Sequence, residues 1–110
     1  MPDPEPEPTV ADAVFAALAD ATRRDVLRAV GRRGDATATE LVADVPVSRQ
    51  AVTKHLQALE AAGLVAAERR GRERRYRVTP APMDDAVRWM VEVGAAWDDR
   101  LERLRTLLIP

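Results

Sequence analysis

Five polar side chains with hydrogen-bonding chemistry share one face of a helix if residues 48–62 are helical, at about 100° per residue. These side chains are Arg49, Gln50, Thr53, Lys54 and Gln57. Arginine can donate two hydrogen bonds to guanine, glutamine can pair with adenine, and threonine can bond a base or pack its methyl group on thymine. The spacing therefore predicts a helix whose outer face reads base edges in the major groove of double-stranded DNA.

The inner face of the same segment is apolar, since Val52, Leu56 and Leu59 fall together on it. Ser48 stands at the N-cap position, where its hydroxyl can accept a backbone hydrogen bond, and it is expected to lie beside the DNA backbone. Any amphipathic surface helix has a polar outer face, so the residue types alone leave that interpretation open. The tight turn that Pro46 forces before the helix, and the basic segment after it, favour the DNA-reading interpretation.

Arginine is dense in the segment that follows, with six arginines within nine residues. They are Arg69, Arg70, Arg72, Arg74, Arg75 and Arg77, and the first five are, with Ser48, the predicted contacts to the DNA backbone. Residues 64–79 predict two strands around a turn at Gly71, and guanidinium groups donate paired hydrogen bonds to phosphate. A charged hairpin that prevents edge-to-edge strand pairing is the alternative. Edge protection needs one or two charges rather than six, so contact with phosphate or the minor groove is favoured.

Helix caps and hydrophobic spacing predict the elements that must position these two segments. Helices are expected at residues 10–19, 21–30, 37–44, 48–62 and 83–108, with the hairpin at 64–79. Asp20, the capping-box pair Thr37 and Glu40, and Gly63 mark helix ends, and either Gly31 or Gly34 is expected to end the second helix. Three arginines of the second helix are expected to face solvent or phosphate: Arg23, Arg24 and Arg28. This order predicts a mainly α fold with a small β-hairpin (α+β), a winged helix-turn-helix that ends in a long C-terminal dimerisation helix.

Composition and charge indicate how the chain is divided and where a polyanion would bind. Residues 1–9 alternate proline with acidic residues and predict a disordered tail, while residues 10–110 are long enough for one domain. The formal net charge is −1, yet residues 48–77 carry eight basic residues against three acidic ones. The positive charge is therefore a local patch, which is what attracts a polyanion.

Several classes of site are not expected. The chain has no cysteine and one histidine, His55, which excludes disulfides, thiolate zinc sites and cysteine nucleophiles. Ser48, Thr53 and His55 lack an orienting acid, so no catalytic site is expected, and His55 is expected to pack and hydrogen-bond rather than bind a metal. No cofactor is expected. Without a long apolar stretch or a signal peptide, the sequence predicts a cytoplasmic protein with no membrane partner.

Six apolar residues of the last predicted helix are spaced 3, 4, 4, 3 and 4 residues apart, which indicates a heptad-like stripe. They are Met90, Val93, Trp97, Leu101, Leu104 and Leu108. With Val14, Phe15 and Leu18 of the first helix, they form the predicted homodimer interface. Packing of the first half of the stripe on the subunit's own core is the alternative. Trp89 and Trp97 leave two interpretations open, core packing or a pocket for an unidentified small-molecule effector between the first and last helices.

Two stretches resemble a known family. Residues 12–79 are similar to the ArsR-type transcriptional regulators, and the most specific part of the similarity is the run SRQAVTKHLQALEAAGLV. Members of this family are bacterial winged-helix repressors that bind operators as homodimers. The C-terminal WDDRLERLRTLL resembles a subgroup of that family. The resemblance implies DNA contacts at Arg49, Gln50, Thr53 and Lys54, and a dimer interface formed by the first and last helices. Metal sensors of the family use cysteine, or aspartate with histidine, so the resemblance here is to a member that senses no metal.

The expected function is accordingly a homodimeric repressor that binds a pseudo-palindromic operator. A protein-interaction or RNA-binding module that uses the basic hairpin against an acidic partner is the alternative. Operator binding predicts both sequence preference and salt dependence, whereas a purely electrostatic module would show salt dependence alone.

Overall fold

The computed structural model describes residues 9–108, which form five helices and a three-stranded antiparallel sheet. The helices are α1 (Val10–Ala17), α2 (Ala21–Arg33), α3 (Ala38–Leu41), α4 (Arg49–Ala61) and α5 (Ala81–Leu108). The strands are β1 (Ala36–Thr37), β2 (Val65–Arg70) and β3 (Glu73–Val78), and β3 is the central one. Residues 1–8 of the predicted tail, and residues 109–110, lie outside the described residues.

Side-chain caps fix where the helices begin. Thr9 and Asp12 form a reciprocal capping box at α1, with donor–acceptor distances of 2.9 and 3.1 Å, so Thr9 belongs to the helical domain rather than to the predicted tail. Thr37 and Glu40 form the predicted box at α3 at 2.9 and 3.1 Å. The predicted caps of α2 and α4 are also confirmed, and they are Asp20 and Ser48.

Three helices end two or three residues away from the predicted position. α1 ends at Ala17 rather than at residue 19. α2 continues past residue 30 to Arg33 and ends at Gly34, the second of the two glycines predicted to end it, whose φ of 78° suits a residue without a side chain. α3 ends at Leu41 rather than near Asp44, because the chain tightens there into turns in which Asp44 and Val45 both donate to the carbonyl of Leu41. The short α3 and the turns after it lie between α2 and α4 along the chain, while α2 and α4 themselves pack against each other.

Two further differences lie around the sheet. β1 was not predicted, because two residues are too few to show an alternating pattern, and it is held by pairing Ala36 with Tyr76 of β3. α5 begins at Ala81 rather than at Met83, since Pro82 fits the first turn of a helix, where its missing N–H has no partner to lose. The predicted hairpin is confirmed, with its turn at Gly71.

Two arginines of α2 hold the end of α1, contrary to the prediction that they face solvent or phosphate. Both are partly buried, and their Nη1 atoms donate to backbone carbonyls: Arg23 to Ala17 at 3.3 Å and Arg24 to Leu18 at 2.6 Å. α1 has no basic residue in its own last turn, so these guanidinium groups satisfy carbonyls that the end of the helix leaves free. α1 and α2 are thereby joined by hydrogen bonds as well as by packing.

The inner face of α4 is the centre of the apolar core. Val52, Leu56 and Leu59 are each 0% exposed, which confirms the face predicted from the sequence, and Leu41 and Leu64 pack into the same cluster. Fully burying a valine or leucine side chain contributes roughly 1.5–3 kcal/mol to stability. This burial fixes the rotation of α4 about its axis and so turns its opposite face outward.

α5 leaves this core early. Its 28 residues make a helix about 42 Å long, of which Met83 and Ala86 near its start pack against the core. Trp89 then meets Phe15 of α1 edge to face, with ring centroids 5.3 Å apart. From residue 94 to residue 107 every side chain of α5 is exposed.

Candidate nucleic-acid interface

The outer face of α4 presents the predicted polar side chains. Arg49, Gln50, Lys54 and Gln57 are exposed, and Thr53 is partly buried. The Thr53 hydroxyl donates to the backbone carbonyl of Arg49 at 3.0 Å, so its proton is engaged while its methyl group and oxygen lone pairs stay available. The five side chains therefore share one face, and threonine can act there as an acceptor or an apolar contact.

Ser48 is both a cap and a surface group. Its Oγ accepts a hydrogen bond from the backbone N–H of Ala51 at 3.1 Å, and the residue is exposed at the start of α4. An accepting hydroxyl keeps its own proton free to donate. Ser48 can therefore fix the start of the helix and still donate to an anion in front of it.

Arg75, on β3, is enclosed by carboxylates. Its guanidinium group pairs with Asp35, with Glu40 at 2.9 Å and with Glu73 at 3.3 Å, and its side chain is only 19% exposed. Hydrogen bonding to Asp35 is the chief reason that the pKa of Arg75 is raised above its ordinary value. The pKa of Glu40 is lowered, chiefly by the hydrogen bond from the backbone amide of Thr37 and further by Arg75. Arg75 thus joins β3 to the start of α3.

Arg74 is paired on the other side of β3. Its Nη2 atom donates to both carboxylate oxygens of Glu60, on α4, at 3.0 and 3.2 Å. Its Nε donates to the Tyr76 hydroxyl at 3.1 Å, and the guanidinium carbon lies 5.8 Å from the centroid of that ring. The hydrogen bonds to Tyr76 and then to Glu60 raise the pKa of Arg74. The wing, which is the β2–β3 hairpin of residues 65–78, is therefore tied to α4 through this arginine.

The remaining arginines of the hairpin divide into paired and unpaired side chains. Arg70 lies 3.7 Å and Arg77 3.8 Å from Glu68, and Arg70 also lies 3.5 Å from Asp35. Thus each of the three acidic residues between 48 and 77 pairs with an arginine. Within residues 9–108, four of the eight basic side chains of this segment make no ion pair. The four unpaired cations are Arg49, Lys54, Arg69 and Arg72.

An open cleft brings the two predicted segments together. It has a volume of about 520 Å³ and lies between the start of α3, the outer face of α4 and the wing. Arg49 and Thr53 line it from α4, and Arg72 and Arg74 line it from the hairpin. The helix face and the tip of the wing thus form one continuous surface, on which these three arginines outnumber the two carboxylates that also line the cleft, Glu40 and Glu73. Glu60, the carboxylate that engages Arg74, was not identified from the sequence.

Comparison with known proteins identifies the family. A helix-turn-helix domain family matches residues 18–67. The chain is 37% identical over 87 residues to the uncharacterized helix-turn-helix transcriptional regulator YuzN of Bacillus subtilis, covering 74% of this chain and 95% of YuzN. It is 30% identical over 78 residues to the transcriptional repressor SdpR of the same bacterium, covering 71% and 86%.

Solved structures agree with this match. An ArsR-like transcriptional regulator from Rhodococcus sp. RHA1 superposes with a TM-score of 0.77 at 43% identity, covering 90% of this chain and 92% of that one. This chain belongs to the ArsR family of helix-turn-helix transcriptional regulators. A homodimeric winged helix-turn-helix DNA-binding domain from Mycobacterium bovis also superposes, with a TM-score of 0.59 at 26% identity and coverage of 86% and 83%. This ArsR-family member is accordingly a DNA-binding transcriptional regulator with a winged helix-turn-helix fold.

The residues predicted for a dimer interface differ in how far each is exposed on this ArsR-family subunit. Val14 is 0% exposed inside the subunit, so it has no surface to offer a partner, while Phe15 and Leu18 are partly buried. On α5, Val93 is partly buried, and the other described members of the stripe are about half exposed. They are Met90 at 49%, Trp97 at 57%, Leu101 at 58% and Leu104 at 54%. The side chain of Leu108 lies outside the described part of the structure.

The two tryptophans of the ArsR-family chain do not share a pocket. Trp89 borders an open depression with residues of α1, among them Val10, whereas Trp97 lies eight residues further along α5 and is not part of it. The guanidinium group of Arg100 lies 5.4 Å from the ring centroid of Trp97 instead. A single effector pocket lined by both rings is therefore not formed within one subunit.

His55 is partly buried on α4, and the described structure shows no hydrogen-bond partner for its buried Nδ1 atom. Among residues 9–108, no group of three or more histidine, cysteine, aspartate or glutamate side chains is arranged to hold a metal ion. None of the helices in that range is long and apolar enough to cross a membrane.

Proposed function

We propose that two copies of this chain form a homodimer that represses transcription by binding a pseudo-palindromic operator in the cytoplasm. The observation that carries this proposal is the position of the four unpaired cations. Arg49 and Lys54 lie on the outer face of α4, and Arg69 and Arg72 lie at the tip of the wing. A helix face flanked by phosphate-binding arginines matches the width and charge of the major groove.

In this proposal α4 reads bases and the wing holds the DNA backbone. Arg49, Gln50, Thr53, Lys54 and Gln57 make the base contacts, because they share the exposed face opposite the buried Leu56. Arg69 and Arg72 contact phosphate from the wing, and Ser48 donates to phosphate from the start of α4. Arg70, Arg74 and Arg75 have a different role, since carboxylates already engage them.

The proposed dimer interface is the exposed stripe of α5, together with Phe15 and Leu18 of α1. The members on α5 are Met90, Val93, Trp97, Leu101, Leu104 and Leu108. Apolar side chains at heptad spacing, half exposed along a helix that its own subunit does not cover, are typical of a helix that packs against a copy of itself. The domain from Mycobacterium bovis is homodimeric, which supports the formation of a dimer. Two-fold symmetry then places half-sites about 34–36 Å apart, or a multiple of that distance.

Repression is the proposed outcome because the relative SdpR is a transcriptional repressor. A bound dimer of this size on a promoter would compete with RNA polymerase for the same duplex. Run-off transcription from a promoter that overlaps the bound site should therefore fall as the protein is added. Increased transcript would contradict repression while leaving DNA binding intact.

Selection from a random duplex library tests sequence-specific binding and identifies the preferred duplex in the same experiment. The selected duplex and a base-shuffled copy are then titrated with the protein at one fixed salt concentration. A specificity ratio of about 10³ or more is expected for an operator. Equal affinities would contradict operator binding and would favour a purely electrostatic module instead.

A further inference from the structure

Glu60 occupies a position from which it controls one arginine of the proposed DNA surface. Its carboxylate accepts two hydrogen bonds from Arg74, at 3.0 and 3.2 Å. Arg74 lines the same cleft as Arg49 and Arg72, which are both unpaired cations. A phosphate group seated in that cleft would therefore compete with Glu60 for the same guanidinium group, because carboxylate and phosphate oxygens bind it in the same way.

Phosphate can reach this ion pair, because the side chains of Arg74 and Glu60 are 58% and 35% exposed. Two hydrogen bonds to Glu60 and one to the Tyr76 hydroxyl hold the guanidinium group where it is. Arg75, by contrast, is 19% exposed and engages three carboxylates. Among the paired arginines of the wing, Arg74 is thus the one that both faces the cleft and is held by a single carboxylate.

We propose that Glu60 limits the affinity of this protein for DNA of unrelated sequence by holding Arg74 away from phosphate. This inference rests on the proposed function. Sequence-independent affinity is set by the number of phosphates that basic side chains neutralise, so each cation that is kept occupied lowers it. In this arrangement Glu60, on the reading helix, contacts no base and still affects how tightly the protein holds the competing DNA of a genome.

The test is a salt titration of Glu60→Gln on a random-sequence duplex of 24 base pairs. Glutamine keeps the shape of the side chain and removes the charge that holds Arg74. One additional phosphate contact makes the slope of log affinity against log salt concentration more negative by about 0.9 for each bound subunit. At 0.1 M salt this corresponds to about eightfold tighter binding per subunit, taking the contribution at 1 M as zero.

Glu102→Gln is the matched control. Glu102 also pairs with an arginine, Arg105 at 3.8 Å, but it lies on α5 and does not line the cleft. Its substitution changes the net charge by the same amount as Glu60→Gln. Because the cation it releases lies outside the cleft, the slope should stay at the wild-type value. The double substitution Glu60→Gln with Arg74→Gln should also return the slope to the wild-type value, because the released cation is then absent.

The same double variant gives a second test, because removing Arg74 alone would leave the Glu60 carboxylate uncompensated beside the DNA. If Glu60 keeps Arg74 off the DNA, the double variant has the wild-type slope. A double variant whose slope is less negative by about 0.9 per subunit would overturn the inference. So would Glu60→Gln with the same slope as Glu102→Gln. Failure of the wild-type protein to bind any duplex would instead overturn the proposed function.

Discussion

Replacing Arg72 by alanine separates the arginines that hold DNA from those that hold the fold. Arg72 is exposed at the turn of the wing and has no carboxylate partner among residues 9–108. Arg77, on the same hairpin, is also exposed but lies 3.8 Å from Glu68. Removing Arg72 should therefore remove a phosphate contact from each subunit, whereas removing Arg77 should not.

The expected size of the effect follows from the count of cations assigned to phosphate. Arg69 and Arg72 of each subunit give four in a DNA-bound dimer, and each neutralised phosphate contributes about −0.9 to the salt slope. The wild-type slope is then about −3.6, and the Arg72→Ala slope about −1.8. Between 50 and 200 mM salt, affinity falls about 150-fold for the wild type and about 12-fold for the variant. If all eight basic residues of each subunit contacted phosphate, the wild-type slope would be about −14.

Fluorescence anisotropy of a labelled duplex, titrated at several salt concentrations, measures these slopes. The selected duplex and its shuffled copy should both show the change caused by Arg72→Ala, because phosphate contacts are common to every sequence. Arg77→Ala is the control and should keep the wild-type slope. The assignment is refuted if Arg72→Ala keeps that slope as well, or if Arg77→Ala loses as much.

Three other predictions follow from the described contacts. Gln50→Ala should reduce discrimination at one base pair of each half-site by about 1–3 kcal/mol and leave the salt slope unchanged, as measured on a panel of duplexes that differ by single base pairs. Equal weakening on every duplex would contradict a base contact at Gln50. Leu101→Glu combined with Leu104→Glu should sediment as a monomer and bind the selected duplex weakly, while Val91→Glu, 64% exposed on the same helix but off the stripe, should stay dimeric. A dimeric double variant would contradict the proposed interface. Hydrogen bonds lower the pKa values of three carboxyl groups: Asp20 by the Arg23 amide from 3.8, Glu40 by the Thr37 amide from 4.5, and Asp44 by the Arg33 side chain from 3.8. The stability that these carboxylates contribute is complete above the ordinary pKa values and is lost as the pH falls through the lowered ones. The free energy of unfolding, measured by urea denaturation, should therefore fall below about pH 4.5, and less steeply for Glu40→Gln. An unchanged free energy of unfolding down to about pH 3 would contradict this.

The sequence predicted those parts of the structure that depend on residues close together in the chain. Asp20, Thr37 and Ser48 cap helices because each side chain bonds to an amide three residues later, a distance that the sequence displays directly. The inner face of α4 was predicted for the same reason, since Leu56 and Leu59 lie within one turn of each other. Local spacing was sufficient wherever the interaction was itself local.

Interactions between distant segments were not predictable in this way. Glu60 and Arg74 are 14 residues apart, and Asp35 and Arg75 are 40 apart, so nothing in the spacing of the arginines indicates which of them are engaged. β1 likewise exists only because Ala36 meets Tyr76 across the sheet. The candidate DNA-binding residues on α4 could therefore be named from the sequence, while the division of roles within the wing required the fold.

Because the exposed stripe of α5 is covered only when two subunits meet, the proportion of dimer depends on the concentration of subunits in the cell. In the proposed dimer, a subunit without a partner carries one reading helix and an open apolar stripe. Below the dissociation constant of the dimer, a twofold rise in subunit concentration gives about a fourfold rise in dimer, by mass action. Occupancy of a two-half-site operator would then respond steeply to expression level, even without a small-molecule effector.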